Sequence, residues 1–341
     1  MATYEVNIDL ANQTKREMAD ALETSDQNVL NKMGAFSSLY DAQFGSYKHP
    51  VLVLKTEEPG SKQLIAAQYD KIENVSYDMI NHLINDCIVM GAKPLTVQDA
   101  IICGKMESDI IKRTVRSIAD ACRAQGCVLT GGETSEQPGV IPDGTYILTS
   151  SIVGIVEKDE IIDGSAIREG DVVLSLESSG IHTNGLTLVR TIMREHPEIL
   201  EESVDGRSFI DAVLEPHRCY YKTLCGLFGT GKVRGLAHFT GGGICENLNR
   251  ILPKNVDAAI DCAAYAVPTI FKLLRRYGGV ADAEMLRTFN LGCGVALVCA
   301  PEDAADVTAH IEGQGVPCRP IGRIVPGSGK VTASGAFDWS E

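Results

Sequence analysis

Between Val75 and Ile88 the apolar residues fall at positions 75, 79, 80, 83, 84, 87 and 88, the three-and-four spacing that winds one apolar stripe down a helix. Asn74 or Ser76 offers a cap, and Gly91 with Pro94 ends the pattern. A second helix is expected near 108–125, where Ile110, Ile111, Val115, Ile118, Ala119 and Cys122 share a face before Gly126. The runs around these helices have the other period. CVLTGG after the second helix and TYILTSSIVGIVEK at 145–158, bounded by PDG and DG turns, read as strands. Beyond the turn-rich DGSAIREGD at 163–171, VVLSLESSGIHTNGLTLVRTIM reads as strand, loop and helix. CGVALVCA and CRPIGRIV then supply strands around a helix at 302–314. The chain is therefore expected to be an α/β protein of the mixed α+β kind.

With 341 residues, two domains of about 150 to 200 residues are the prior, and the turn-rich junction divides the chain into 1–165 and 166–341. No internal repeat and no low-complexity linker separates the halves, so close packing and a site between them are the default expectation. Net charge is −14 without a long Lys or Arg block, which argues against nucleic acid or an anionic membrane and leaves a phosphorylated small molecule as partner. The first residues lack the apolar core of a signal peptide, and no segment reaches the roughly 18 apolar residues of a spanning helix, so a cytoplasmic protein is expected. The 11 cysteines form no C-x-x-C pair, and Cys87, Cys122, Cys293 and Cys299 sit within apolar runs, as reduced core thiols do.

Several polar stretches have the make-up of a site. Asp78, His82 and Asp86 stand four residues apart, with Asn81 and Asn85 beside them, so a helix aligns them as ligands or as a solvated polar face. Glu133 and Glu136 in GGETSEQPG offer the hard oxygen that Mg²⁺ takes, although surface loops often carry such acids. His182 and Asn184 lie on the ESSGIHTNG loop, where fixed polar groups handle protons or orient a substrate; isolated histidines are more often structural. HFTGGGICENLNRIL runs three glycines into a helical pattern, either an oxyanion cradle or a turn capped by Thr240. PGSK, GTGK and GSGK fail the spacing of a P-loop, and turns are the plainer reading of the last two.

The order of these stretches carries a resemblance. INDCIVMGAKP, CGKME, GGETSEQPG, VGIVEKDEIIDG, SSGIHTNGLTLVR, LAHFTGGGICENLNRILP and RTFNLGCGVALV follow one another as in the aminoimidazole ribonucleotide synthetases, the phosphoribosylformylglycinamidine cyclo-ligase family, from about Gly34 to Val325. The resemblance implies an N-terminal ATP-binding and dimerisation domain whose strands join a partner's in a dimer-spanning β-barrel, a C-terminal α/β domain, and a homodimer. It implies ATP-dependent closure of formylglycinamidine ribonucleotide to aminoimidazole ribonucleotide in purine synthesis, through phosphorylation of the formyl-amide oxygen, with ATP and Mg²⁺.

By the same resemblance His238, His182 and Lys62 are the catalytic candidates, while Gly60, Ser61, Lys62, Asn85, Asp86 and Asn184 face the nucleotide. Thr240, Gly241, Gly242, Gly243 and Asn290 face the substrate, and Glu57, Asp86, Asp99 and Glu133 face the metal. The chain departs from the family where an Asp-Gly-Val-Gly-Thr-Lys loop has become Glu57-Glu58-Pro59-Gly60-Ser61-Lys62, where Asn81 and His82 replace apolar residues, and where His217 replaces Thr. Those departures keep two other readings open: a paralogous enzyme that activates another amide or carboxyl oxygen with ATP, and a non-catalytic dimeric binding protein of the same fold.

Overall fold

A computed structural model describes residues 8–31 and 36–340. The chain divides into two compact units, the first containing residues up to Cys87 and 92–158, the second 88–91 and the chain from Asp159 onward.

In the first unit α1 (Ile8–Glu17) precedes β1 (Pro50–Glu57), followed by α2 (Lys62–Gln68), α3 (Ile72–Ile88), β2 (Lys93–Cys103), α4 (Ser108–Ala124), β3 (Val128–Glu136) and β4 (Tyr146–Glu157). The strands form an open sheet in the order β1-β4-β2-β3, with β2 and β3 parallel and the other neighbours antiparallel. The α3 stripe is in the core: Val75, Met79, Ile80, Leu83, Ile84, Cys87 and Ile88 are wholly buried. Each large apolar side chain so buried contributes about 1.5–3 kcal/mol. Ser76 lies inside the helix and not at its cap, its hydroxyl donating back to the Ile72 carbonyl at 2.8 Å. β3 also runs longer than expected, taking Glu133 and Glu136 into the strand.

The polar side of α3 is the larger departure. Asp78, Asn81, His82 and Asn85 are buried, so this is no solvated face. Periodicity reports that polar residues oppose the stripe; it cannot report that Asp78 meets a lysine 16 residues earlier in the chain.

The second unit holds β5 (Val172–Glu177), α5 (Leu186–Glu195), the short pair β6 (Ser203–Val204) and β7 (Arg207–Ser208), α6 (Phe209–Val213), α7 (Tyr221–Leu224), β8 (Val233–His238) and α8 (Gly243–Leu248). It continues with β9 (Val256–Asp261), α9 (Thr269–Gly278), α10 (Asp282–Thr288), β10 (Cys293–Cys299), α11 (Ala304–Gly313), β11 (Cys318–Pro326) and β12 (Val331–Ser334). Its main sheet is ordered β12-β9-β11-β5-β10-β8. β10 is buried along its whole length, as a central strand covered on both faces must be. Among the described residues no helix is long and apolar enough to cross a membrane.

Candidate functional site

A polar row crosses the first sheet. Glu57 lies opposite Ser150, Ser150 opposite Asp99, and Asp99 opposite Gly132. Directly opposed residues project to the same face, so the Glu57 and Asp99 carboxyls flank the Ser150 hydroxyl across three strands. That hydroxyl is buried without a hydrogen-bond partner among the described residues. Alternation along β3 sends Glu133, which pairs with Ala100, to the other face, so the structure does not bring it to the row.

Burial pushes the Asp99 carboxyl up to about 7, because little water reaches its charged form. With its folded pKa above the unfolded one, Asp99 adds stability below about pH 4 that is lost as pH rises through about 7. Urea denaturation of metal-free protein across this range is expected to show that decline, and Asp99→Asn to flatten it.

Beside Glu57 the row meets α3. Lys55 Nζ lies 2.7 Å from Glu57 Oε1 and 3.1 Å from Asp86 Oδ2, while His82 Nε2 lies 3.7 Å from Asp86 and 4.0 Å from Glu57. Burial works against the Lys55 ammonium, but Glu57 and Asp86 outweigh it and raise its pKa. The rewritten loop thus keeps its first acid within the cluster, while Glu58 is exposed and Pro59 is buried.

Lys62, expected on the phosphate side, is paired within the first unit. It opens α2 after Gly60 (φ 62°) and Ser61, yet it is wholly buried, with Nζ 2.9 Å from each Asp78 oxygen. Asn85 is likewise buried in α3.

In the second unit the loop after β5 is pinned from several sides. Asn290 Nδ2 donates to the carbonyls of Gly180 (2.9 Å) and Ile181 (3.2 Å), and its Oδ1 accepts from Ser178 Oγ (3.0 Å) and Gly292 N (2.8 Å). Asn290, expected to face substrate, is therefore engaged in shaping the loop. Within that loop His182 takes the left-handed φ of 61° and its Nε2 accepts from Ser179 N at 3.2 Å. Such a backbone costs an ordinary residue about 1–3 kcal/mol and persists only where its surroundings impose it.

Ser179 Oγ donates to the Pro216 carbonyl (2.7 Å), and the Tyr220 hydroxyl to that of Glu177 (2.9 Å), tying the loop to residues 216–220. His217 is thereby stacked on His182, ring centres 3.7 Å apart and planes 21° from parallel, and its Nε2 meets His238 Nε2 at 2.9 Å. All three imidazoles are buried. Gly294 in β10 makes the arrangement possible, since a β-carbon there would overlap the Tyr220 hydroxyl and stand 2.9 Å from His182 Cε1.

The glycine turn follows β8 directly. Gly242 and Gly243 take φ of 93° and 59°, conformations that glycine adopts without strain. Asn247, missed in the sequence, binds the carbonyls of Gly243 (2.8 Å) and Gly241 (3.1 Å), while Thr240 Oγ1 donates to Asn247 Oδ1 (3.2 Å) in place of a helix cap. α8 has 6 residues, too short to attract an anion by its dipole. A β-carbon on Gly241 would touch Asn184 Oδ1 at 3.5 Å, so the two glycine-bearing loops meet. The cluster can hold and pass protons beside a turn of accessible backbone. The remaining signal for Asn247, a polar residue four positions after Gly243, is common to most helices.

Comparison with known proteins gives the arrangement a family. Residues 43–156 match the AIR synthase related protein N-terminal domain, and 168–334 its C-terminal domain. A phosphoribosylformylglycinamidine cyclo-ligase of Burkholderia cenocepacia is 43% identical over 304 residues, 89% of this chain and 86% of the relative. That of Burkholderia pseudomallei is 42% identical over the same shares. Among solved structures, thiamine-monophosphate kinase from Stenotrophomonas maltophilia aligns with a TM-score of 0.69 at 16% identity, covering 97% of each chain. Hydrogenase maturation protein HypE in complex with ATP also reaches 0.69 at 16% identity, over 95% of this chain and 90% of its own. These two likenesses establish shared architecture. The identity to the cyclo-ligases, sustained through both units, shows more: the chain belongs to the phosphoribosylformylglycinamidine cyclo-ligase family of AIR synthase related proteins.

Proposed function

We propose that the protein closes formylglycinamidine ribonucleotide to aminoimidazole ribonucleotide at the expense of ATP, in purine synthesis. The observation that carries this reading is the 43% identity to cyclo-ligases over 89% of the chain. The pinned meeting of the SSGIHTNG and HFTGGG loops around His182 and His238 supports it.

In this reaction the terminal phosphoryl of ATP passes to the formyl-amide oxygen, the amidine nitrogen forms the new C–N bond, and phosphate leaves with the C–O bond pair. The closing nitrogen must lose a proton, and His238, with its neighbour at 2.9 Å, is the group we assign to receive it. His182, fixed by Ser179 N, orients the substrate together with Asn184, while Thr240 and Gly241–Gly243 offer backbone to its phosphate. Asn85, Gly60 and Ser61 remain our nucleotide-side assignments.

The oxygen donors suit a hard dication, for the unpartnered Ser150 hydroxyl lies between Glu57 and Asp99, and Asp86 adjoins Glu57 through Lys55. Glu57, Asp86 and Asp99 would hold Mg²⁺, which would neutralise charge on the triphosphate.

Purified protein given Mg-ATP and formylglycinamidine ribonucleotide is expected to release ADP and aminoimidazole ribonucleotide. Glu57→Ala is expected to raise the Mg²⁺ needed for half-maximal rate about tenfold or more. No product from the parent protein overturns the assignment. The burial of Lys62 on Asp78 favours a second reading, a paralogous ATP-using enzyme acting on another amide or carboxyl oxygen; ATP binding without cyclisation identifies it.

The protein also acts, in this reading, as a cytoplasmic homodimer. β1 is an edge strand whose outer face exposes Leu52 (52%) and Leu54 (71%), an edge that a second copy would cover. Sedimentation is expected to find a dimer, and Leu54→Glu to shift it toward monomer; a monomeric parent protein overturns the dimer.

A further inference from the structure

Three buried histidines stand together in the second unit, and the proposed reaction uses two of them. The third, His217, is the better connected. Its Nε2 faces His238 Nε2 at 2.9 Å and its ring covers His182 at 3.7 Å. Two ring nitrogens at that distance share one proton: either ring donates and the other accepts, and two protons in the gap would clash. Whichever form His217 takes therefore decides whether His238 holds a proton or a lone pair at Nε2.

We propose that His217 is a positioning residue that acts through His238, fixing its tautomer and taking the proton it must shed when it serves as base. The inference rests on the cyclo-ligase reading. The transfer balances. An N–H bond forms at His238 Nδ1 with the proton of the closing substrate nitrogen; the N–H bond at His238 Nε2 breaks, and its proton forms a new N–H at His217 Nε2. His238 is neutral before and after, and the positive charge rests on His217. There the face of the His182 ring lies against it.

A shared metal is the competing use of the cluster, since one nitrogen from each ring lies within 4.8 Å of the others. The stack opposes it. Imidazole binds a metal along its ring plane, and two stacked rings with centres 3.7 Å apart and planes only 21° from parallel do not converge on one ion about 2 Å from both nitrogens.

Long-range ¹⁵N–¹H spectra of histidine-labelled protein test the arrangement without turnover. The parent is expected to show His238 as a single tautomer, and His217→Ala to show a mixture of the two. In the cyclisation assay His217→Ala is expected to lower kcat about tenfold or more with KM changed less than twofold. His217→Gln, whose amide reaches the same place as donor or acceptor, is expected to restore part of the loss. An unchanged His238 tautomer in His217→Ala overturns the proposal, as does an equal loss in the Gln and Ala variants. One equivalent of Zn²⁺ bound by the parent and lost in His217→Ala also overturns it. If the parent makes no product, the cyclo-ligase reading fails, while the spectra still decide the His217–His238 arrangement.

Discussion

His238→Ala is expected to lower kcat for cyclisation by about 10²–10⁴-fold, the usual loss when a positioned acid or base is removed. Two features put the effect on kcat. His238 ends the edge strand β8, where Val295 of the wholly buried β10 is its register partner, so the backbone that aims the ring is anchored to the sheet interior and survives truncation. The glycine turn next to it is held by Asn247, so the proposed substrate-phosphate contacts persist. Initial-rate kinetics with both substrates check this. A variant whose KM rises while kcat is kept would make His238 a binding group and move the proton elsewhere.

Asp78→Ala is expected to destabilise the protein by about 3–5 kcal/mol, since it leaves the Lys62 ammonium buried without its carboxylate. Both side chains are wholly inaccessible and Nζ is 2.9 Å from each oxygen, so water cannot substitute as it does on a surface. The paired replacement Lys62→Met with Asp78→Leu is expected to recover most of the loss, because removing both charges also removes the penalty of burying them. Urea denaturation of the three proteins measures it, and a single Asp78→Ala cost below about 1 kcal/mol, the range of surface pairs, would mean that the pair is open to solvent. The double variant also bears on ATP: retained nucleotide affinity would make Lys62 a structural residue in this chain.

Much of the architecture could be read from the sequence, for definite reasons. The α3 stripe and the β-branched run of β4 have periods that local geometry imposes, and their extents came within a few residues. Neither Asn74 nor Ser76, the two candidate caps, starts the helix: it begins at Ile72, and the Ser76 hydroxyl bonds backward to Ile72, a choice that composition does not encode. The site was legible as motifs and illegible as an assembly. Asp99 and Glu133 look equivalent as acids beside strands, but a register of one residue turns them to opposite faces. His217 was visible only as a departure from the family pattern. Its contacts with His182 and His238 join residues 35 and 21 positions away, distances over which periodicity carries no information.

The buried thiols have a practical consequence. Burial pushes Cys87, Cys293 and Cys299 up to about 12, and Cys103 and Cys318 up to about 11, so at neutral pH they hold almost no reactive thiolate. Cys225 is exposed, and Cys219 and Cys245 are half-buried. Alkylating reagents therefore distinguish the native chain, with Cys225 as an attachment point for a fluorophore, from the unfolded chain, where the buried sulfurs become available as well. The apolar packing chosen for the core turns cysteine modification into a built-in gauge of folding.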